Sequence, residues 1–305
     1  LSFSIYNSKQ FRYDYTTNKV DKDQRLNIIG ATVGLGKRLQ WPDNYFTLSQ
    51  SVSYQLYDLK EYGMSIAGLY LTNGNLNNLS YNISLGRNSS GPNPVFPKQG
   101  SEFSVGAKLT IPYSLLNNKD YSSLELGEKY KWLEYYKVSF KGKWYTALTK
   151  DLVVMTNAEF GILGNYNKEL GDSPFERFFV GGDGMSSYQL DGRETIALRG
   201  YENGRLSSID GGTIYNKFQM ELRYPITLKP SASIYVLGFL EGGNSYDGFD
   251  NFNPFTLKRS AGLGLRIFMP AFGMLGIDFA HGYDPLPGTT VKSGWQTHFI
   301  IGQQF

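Results

Sequence analysis

Hydrophobic and polar residues alternate with a period of two along much of this chain. Phe46, Leu48, Val52, Tyr54 and Leu56 hold even positions, while Thr47, Ser49, Ser51, Ser53 and Gln55 fill the odd ones. A helix would place apolar residues three and four apart, and those spacings fall on serines and threonines, so the segment reads as a strand. Leu79, Tyr81, Ile83 and Leu85 oppose Ser80, Asn82, Ser84 and Gly86 in the same way. Phe103, Val105, Ala107, Leu109 and Ile111 oppose Ser104, Gly106, Lys108 and Thr110. In two further segments the polar side is charged. Tyr136, Val138, Phe140 and Trp144 face away from Lys137, Lys141 and Lys143, and Phe218, Met220, Leu222 and Tyr224 face away from Lys217, Glu221 and Arg223.

This periodicity predicts about twelve strands, near 1–15, 26–39, 45–58, 77–88, 101–112, 134–147, 151–163, 211–226, 231–243, 257–268, 273–283 and 295–305. Several run about ten residues or more, the length that crosses a bilayer at a tilt, whereas globular strands average about five or six. Aromatic residues near strand ends (Tyr135, Tyr136, Trp144, Tyr145, Tyr224 and Trp295) are expected at the two headgroup levels. Short links, such as those from Pro225 to Pro230 and from Pro270 to Gly273, alternate with longer segments at 59–76, 113–131, 164–210, 244–256 and 284–294. The long ones should therefore share one end of the molecule. The expected fold class is all-β, a transmembrane antiparallel β-barrel with long external loops, filling 1–305 as one domain with no soluble domain beside it.

Composition narrows the chemistry. The 305 residues include 35 glycines and 15% aromatics, a balance that favours β structure. No run of about 18 consecutive apolar residues occurs, which excludes a helical membrane span and leaves an alternating barrel strand untouched. With no cysteine and two histidines, disulfides, thiolate metal sites, iron–sulfur clusters, a cysteine nucleophile and an all-histidine cage are excluded. A formal net charge of +3 offers no large field for nucleic acid. No cofactor and no metal are expected.

Three local constellations carry more specific information. Leu198-Arg199-Gly200-Tyr201 lies in the longest predicted loop, downstream of Phe178-Phe179-Val180-Gly181-Gly182. Phe239-Leu240-Glu241-Gly242-Gly243 lies on a strand whose alternation puts Ala232, Ile234, Val236 and Leu240 on one face and Tyr235, Phe239 and Glu241 on the other. The last eight residues, from His298 to Phe305, carry Phe299, Ile301 and Phe305 on one face and a glycine at 302. In this order the three resemble motifs of the BamA superfamily of outer-membrane insertases and their two-partner secretion relatives: the Val-Arg-Gly-Phe/Tyr loop, the Phe-x-Asp-x-Gly strand and the terminal β-signal. Phe96, Pro97 and Gly100 resemble the family's Phe-Pro-x-x-Gly turn, and Gly276-Ile277-Asp278-Phe279 its penultimate-strand motif. The resemblance runs from about Arg25 to Phe305.

The resemblance implies a lumen-inserted loop presenting Leu198, Arg199, Gly200 and Tyr201, pinned by the strand motif of Phe239, Glu241 and Gly243. Glutamate stands here where the family has aspartate. A guanidinium held by a carboxylate forms two parallel charge-assisted hydrogen bonds, which fix orientation as well as position. Phe299, Ile301, Gly302 and Phe305 would form the terminal signal and one side of a lateral seam, with Gly302 its weak point. The family barrel has about sixteen strands. The first four strands and the periplasmic POTRA domains are therefore expected to be missing and the chain to be a fragment, with no secretory signal peptide at Leu1, and the region 183–195 looks inserted.

The implied function is assembly of client β-barrel proteins into the outer membrane of a Gram-negative bacterium. Its implied partners are those clients, accessory lipoproteins and membrane lipids, with no nucleic acid. The alternative is a two-partner secretion pore exporting one dedicated protein, with a passive porin third. An enzyme is not expected: His281 lies between Asp278 and Asp284 but on the opposite strand face from Asp278. Asp247, Asp250 and Asn251 lack EF-hand spacing and read as a solvated turn. Asn78, Asn82 and Asn88 each begin an N-x-Ser triplet, but two lie within a predicted membrane strand, which argues against glycosylation.

Overall fold

The computed structural model describes residues 1–14, 16–62, 64–66, 69–117, 119–185 and 191–302. Its strands are β1 (Ser2–Asp14), β2 (Lys19–Arg38), β3 (Phe46–Lys60), β4 (Met64–Ile66), β5 (Leu69–Leu71), β6 (Gly74–Asn88), β7 (Gly100–Thr110), β8 (Tyr136–Ala147), β9 (Val153–Gly164), β10 (Phe178–Val180), β11 (Glu194–Ile196), β12 (Ile214–Lys229), β13 (Ala232–Tyr246), β14 (Lys258–Met269), β15 (Gly273–Pro285) and β16 (Lys292–Ile301). Two single-turn helices, α1 (Tyr113–Leu116) and α2 (Leu126–Lys129), lie between β7 and β8. Twelve strands form one sheet in the order β1-β2-β3-β6-β7-β8-β9-β12-β13-β14-β15-β16, every neighbouring pair antiparallel. This is the wall of an antiparallel β-barrel, as the alternation predicts.

Side chains sort by face as the period of two requires. Phe3, Ile5, Val33, Leu35, Val52, Met220, Leu222, Leu240 and Phe299 are exposed on the outside, and Tyr235, Leu237, Phe239 and Glu241 are buried inside. An apolar exterior around an interior that also holds charged residues such as Lys137, Glu221, Arg266 and Asp278 inverts the soluble pattern and suits lipid as the solvent. Because the wall is a meander, alternate links fall at opposite ends. The links 61–73, 111–135, 165–213, 247–257 and 286–291 therefore share one end, and 39–45, 89–99, 148–152, 230–231 and 270–272 share the other.

The structure corrects several details. Tyr135 and Tyr145 are buried inside and do not sit at the headgroup level; Tyr135 accepts a hydrogen bond from Asn78 Nδ2 at 3.1 Å. Trp144, Tyr224 and Trp295 do face outward. Pro225 lies within β12 and not in a link, and the β12–β13 register slips between Pro225 and Thr227. A proline cannot donate to the ladder, and a bulge absorbs it. β2 begins at Lys19, well before residue 26, since its ladder with β1 continues through a stretch polar except for Val20, where no alternation marks it. Segments 59–76 and 164–210 contain short ribbons, β4 with β5 and the parallel pair β10 with β11. Asn78 is buried, which removes it as a glycosylation acceptor.

Two apolar clusters occupy the interior. At the long-loop end Leu26, Tyr57, Leu76, Leu133 and Tyr135 pack against Phe175, Phe178, Val180, Ile196, Leu198 and Tyr201 of the 165–213 segment. This long segment, the strap below, is thus folded into the barrel and carries its own share of the core. At the short-link end Val95 and Phe96 join Tyr145, Met155, Tyr235, Leu237, Phe239 and Met274.

Candidate functional site

The strap carries Leu198-Arg199-Gly200-Tyr201 to the inner face of the last wall strands. Leu198 exchanges two backbone hydrogen bonds of 3.0 Å with Gly182, so the glycine pair upstream templates the motif. The Leu198 side chain is fully buried over Gly243; a Cβ on Gly243 would lie 2.6 Å from Leu198 Cδ1 and 2.6 Å from Asn216 O. The strand-motif glycine is therefore the recess that admits the loop. Gly200 adopts φ +86°, a left-handed conformation that glycine takes without steric cost, and a Cβ there would lie 2.8 Å from Ser260 Cβ. Tyr201 is buried and its hydroxyl donates to Arg259 O at 2.8 Å; burial pushes its pKa up to about 12.

Arg199 is held from four directions. Its backbone N–H donates to Glu241 Oε2 at 2.8 Å, and its Nε and Nη2 donate to Glu241 Oε1 at 2.9 and 2.7 Å. Nη2 also donates to Glu221 Oε1 at 2.8 Å, and Nη1 to Asp278 Oδ2 at 3.1 Å. The guanidinium lies 3.5 Å from the centre of the Phe239 ring. Two further arginines complete the set. Arg266 donates to both Asp278 oxygens at 2.7 and 2.8 Å, and Arg223 Nε to Glu221 Oε2 at 2.8 Å. Three cations thus meet three carboxylates, all with side chains at most 13% exposed. Burial works against the Arg199 charge, but Glu241, Glu221 and Asp278 outweigh it and raise its pKa above the ordinary arginine value. Next to this cluster the Gly200 N–H donates to His298 Nε2 of β16 at 2.9 Å. One dipeptide therefore ties the strap to β12, β13, β15 and β16.

A second set of charges fastens the other flank of the strap. Lys137 of β8 reaches Glu176 and Glu194, each at 3.2 Å, and Lys141 reaches Glu194 at 2.7 Å. Lys108 of β7 also pairs with Glu176. Lys137 sits 4.7 Å from the centre of the Phe178 ring. These groups are more open, Lys141 being 46% and Glu194 28% exposed.

Of the residues singled out in the sequence, Leu198, Arg199, Gly200, Tyr201, Phe239, Glu241 and Gly243 come together in one place. Phe299 and Ile301 face outward on β16, and Gly302 follows that strand at φ +67° with its N–H bonded to Met274 O at 2.8 Å. Phe305 lies outside the described residues, as does 186–190 within the region read as inserted. His281 packs on the outer face, its ring 5.2 Å from Trp295, away from the Asp278 carboxylate. Asp247 accepts from Ser208 Oγ at 3.1 Å and so belongs to the strap's surroundings. Sequence reasoning missed Glu221, Asp278 and His298 as partners of the loop, and Arg223 and Arg266 as the partners of Glu221 and Asp278. All five have inward phase on strands it had drawn, which was the available signal.

A model of the Omp85 superfamily domain matches residues 1–305, the whole chain. The chain belongs to the Omp85 superfamily. Among solved structures it is similar to BamA from Haemophilus ducreyi lacking POTRA domains 1–3, with a TM-score of 0.68 and 15% identity over 98% of this chain and 57% of that one. CdiB from Escherichia coli matches with a TM-score of 0.56 and 11% identity, over 97% of this chain and 48% of that one. CdiB from Acinetobacter baumannii matches with a TM-score of 0.52 and 12% identity, over 97% and 46%. The chain thus spans about half the length of these structures. No curated protein matches the sequence significantly. At such identities the Omp85 likeness to solved structures is one of fold.

Proposed function

We propose that this Omp85 chain is part of an outer-membrane assembly factor that folds and inserts client β-barrel proteins through a lateral seam involving β16. The observation that carries the reading is the Arg199–Gly200 tether, which binds the strap to β12, β13, β15 and, through His298, to β16 itself. A machine that opens beside its terminal strand needs that strand positioned by something other than its partner across the seam, and the tether supplies this from inside. Phe299, Ile301 and Gly302 form the lipid-facing side and end of that strand, where a client strand would add by backbone pairing. No catalytic side chain is required, and none is proposed. Clients, accessory lipoproteins and outer-membrane lipids are the partners this reading calls for.

The likeness to two CdiB structures, over nearly all of this chain, supports a second reading as a two-partner secretion pore for one dedicated protein. Depletion of the intact protein from its native cell, followed by quantification of every other outer-membrane barrel, separates the two. A broad fall with unfolded barrels in the periplasm is the result expected. Loss of one secreted protein, with other barrels unchanged, would replace the insertase reading by the secretion pore.

A further inference from the structure

The 89–99 link, which joins β6 to β7 at the short-link end, folds inward. Asn93 Oδ1 accepts the N–H groups of Val95 and Phe96 at 3.0 and 3.1 Å, which shapes the bend. Lys98 holds the outer side of the bend to the neighbouring link through Asp151 at 3.6 Å. Phe96 is 1% exposed, and its ring meets Tyr235 edge-on with centres 5.2 Å apart. β6 and β7 are the fourth and fifth strands of the wall, whereas β13, which carries Tyr235, is the ninth and β15, which carries Met274 in the same cluster, is the eleventh. The link therefore reaches across the lumen to the far wall. A cavity of about 390 Å³ is lined by Val95, Pro97 and Met274 together with Arg199, Glu241 and further charged side chains such as Lys143.

We propose that the Phe96 link is a second gate, an apolar floor that closes the lumen in series with the strap. A constriction of aromatic and aliphatic side chains excludes ions by refusing to wet, which no salt bridge does. The floor and the strap also share a part. Phe239 belongs to the floor cluster and carries the Arg199 guanidinium on its ring, so the two closures meet at one side chain. The inference holds for an insertase and for a secretion pore alike, because it concerns how the lumen is kept tight while the protein waits.

Single-channel conductance of the full chain in planar lipid bilayers tests it, with Phe96→Ala, Arg199→Ala and the double variant. Two closures in series predict that each single variant stays largely shut and that sustained conductance appears only in the double variant. Conductance of the double variant equal to that of Arg199→Ala would show that the floor blocks nothing, and full opening by Phe96→Ala alone would show that the strap does not close the path. A variant that keeps the floor's shape guards against simple misfolding. The chain has no cysteine, so Phe96→Cys and Tyr235→Cys can be joined by a short bis-maleimide in the Arg199→Ala background. Joined, the channel should lose its conductance and the unjoined triple variant should keep it. Equal conductance in both states overturns the proposal.

Discussion

The two flanks of the strap are fastened by the same kind of chemistry in different surroundings. At the β12–β16 flank the side chains of Arg199, Glu221, Glu241 and Asp278 are at most 6% exposed. At the β7–β8 flank Lys108, Lys137, Lys141, Glu176 and Glu194 range from 10% to 46%. A buried ion cluster is weak evidence of net stability, because desolvation offsets most of the attraction, yet removing one member leaves the others charged and unpaired. An open pair loses little when broken, since water replaces the partner. The β12–β16 flank is thus a fixed joint, and the other grades from the enclosed Lys137–Glu176 pair, 10% and 12% exposed, to the open Lys141–Glu194 pair, its adjustable part.

Arg199→Ala should give the largest effect. It strands Glu241 and weakens Glu221 and Asp278, at a cost of about 3–5 kcal/mol in urea unfolding from lipid. A loss below about 1 kcal/mol would erase the distinction between the flanks. Arg199→Lys should recover only part, because an ammonium cannot reproduce the planar fork. Next comes Gly243→Ala. Its methyl would occupy the recess filled by Leu198, for about 1–3 kcal/mol of overpacking, and the strap should become cleavable by protease. Unchanged protection would mean that Leu198 can seat elsewhere.

Smaller effects belong to the open flank. Glu194→Gln should cost within about 1 kcal/mol and lose even that at high salt. Its pH dependence has a definite sign. Burial opposes ionisation of Glu194, but Lys137 and Lys141 outweigh it and hold its pKa below the ordinary 4.5. A carboxylate depressed on folding contributes its stability above the ordinary value and loses it as pH falls through the folded one. Pepsin cleavage of the strap should therefore rise as the pH drops below 4.5, and more steeply in the native chain than in Glu194→Gln. Equal profiles would assign the loosening to some other group.

Much of this was legible in the residues. Alternation in 46–56 or 103–111 leaves no choice of face, and Arg199 and Glu241 stood out because they sit within short, ordered motifs. Other features were hidden for physical reasons. Glu221, Arg266 and Asp278 look like ordinary lumen-facing charges until strand register brings them to one level. His298 lies on the face opposite Phe299 and Ile301, whose apolar pattern dominates the terminal segment. Tyr135 and Tyr145 fit either side of the wall by sequence, as any aromatic near a strand end does, and only the packing of the strap and the Phe96 link tells which. For that link the sequence marks a turn, through Phe96, Pro97 and Gly100, but its inward fold shows only as two apolar residues, Val95 and Phe96, where a turn needs none.

The bond from Gly200 to His298 joins groups 98 residues apart in sequence. A contact over so long a stretch surrenders chain entropy before it is rewarded. The strap therefore cannot finish seating until β16 is in place. Without β16 in place the Gly200 N–H lacks this acceptor, and the strap keeps only the bonds of Arg199 to β12, β13 and β15. The loop and β16 are thus seated as one unit, and whatever loosens one loosens the other.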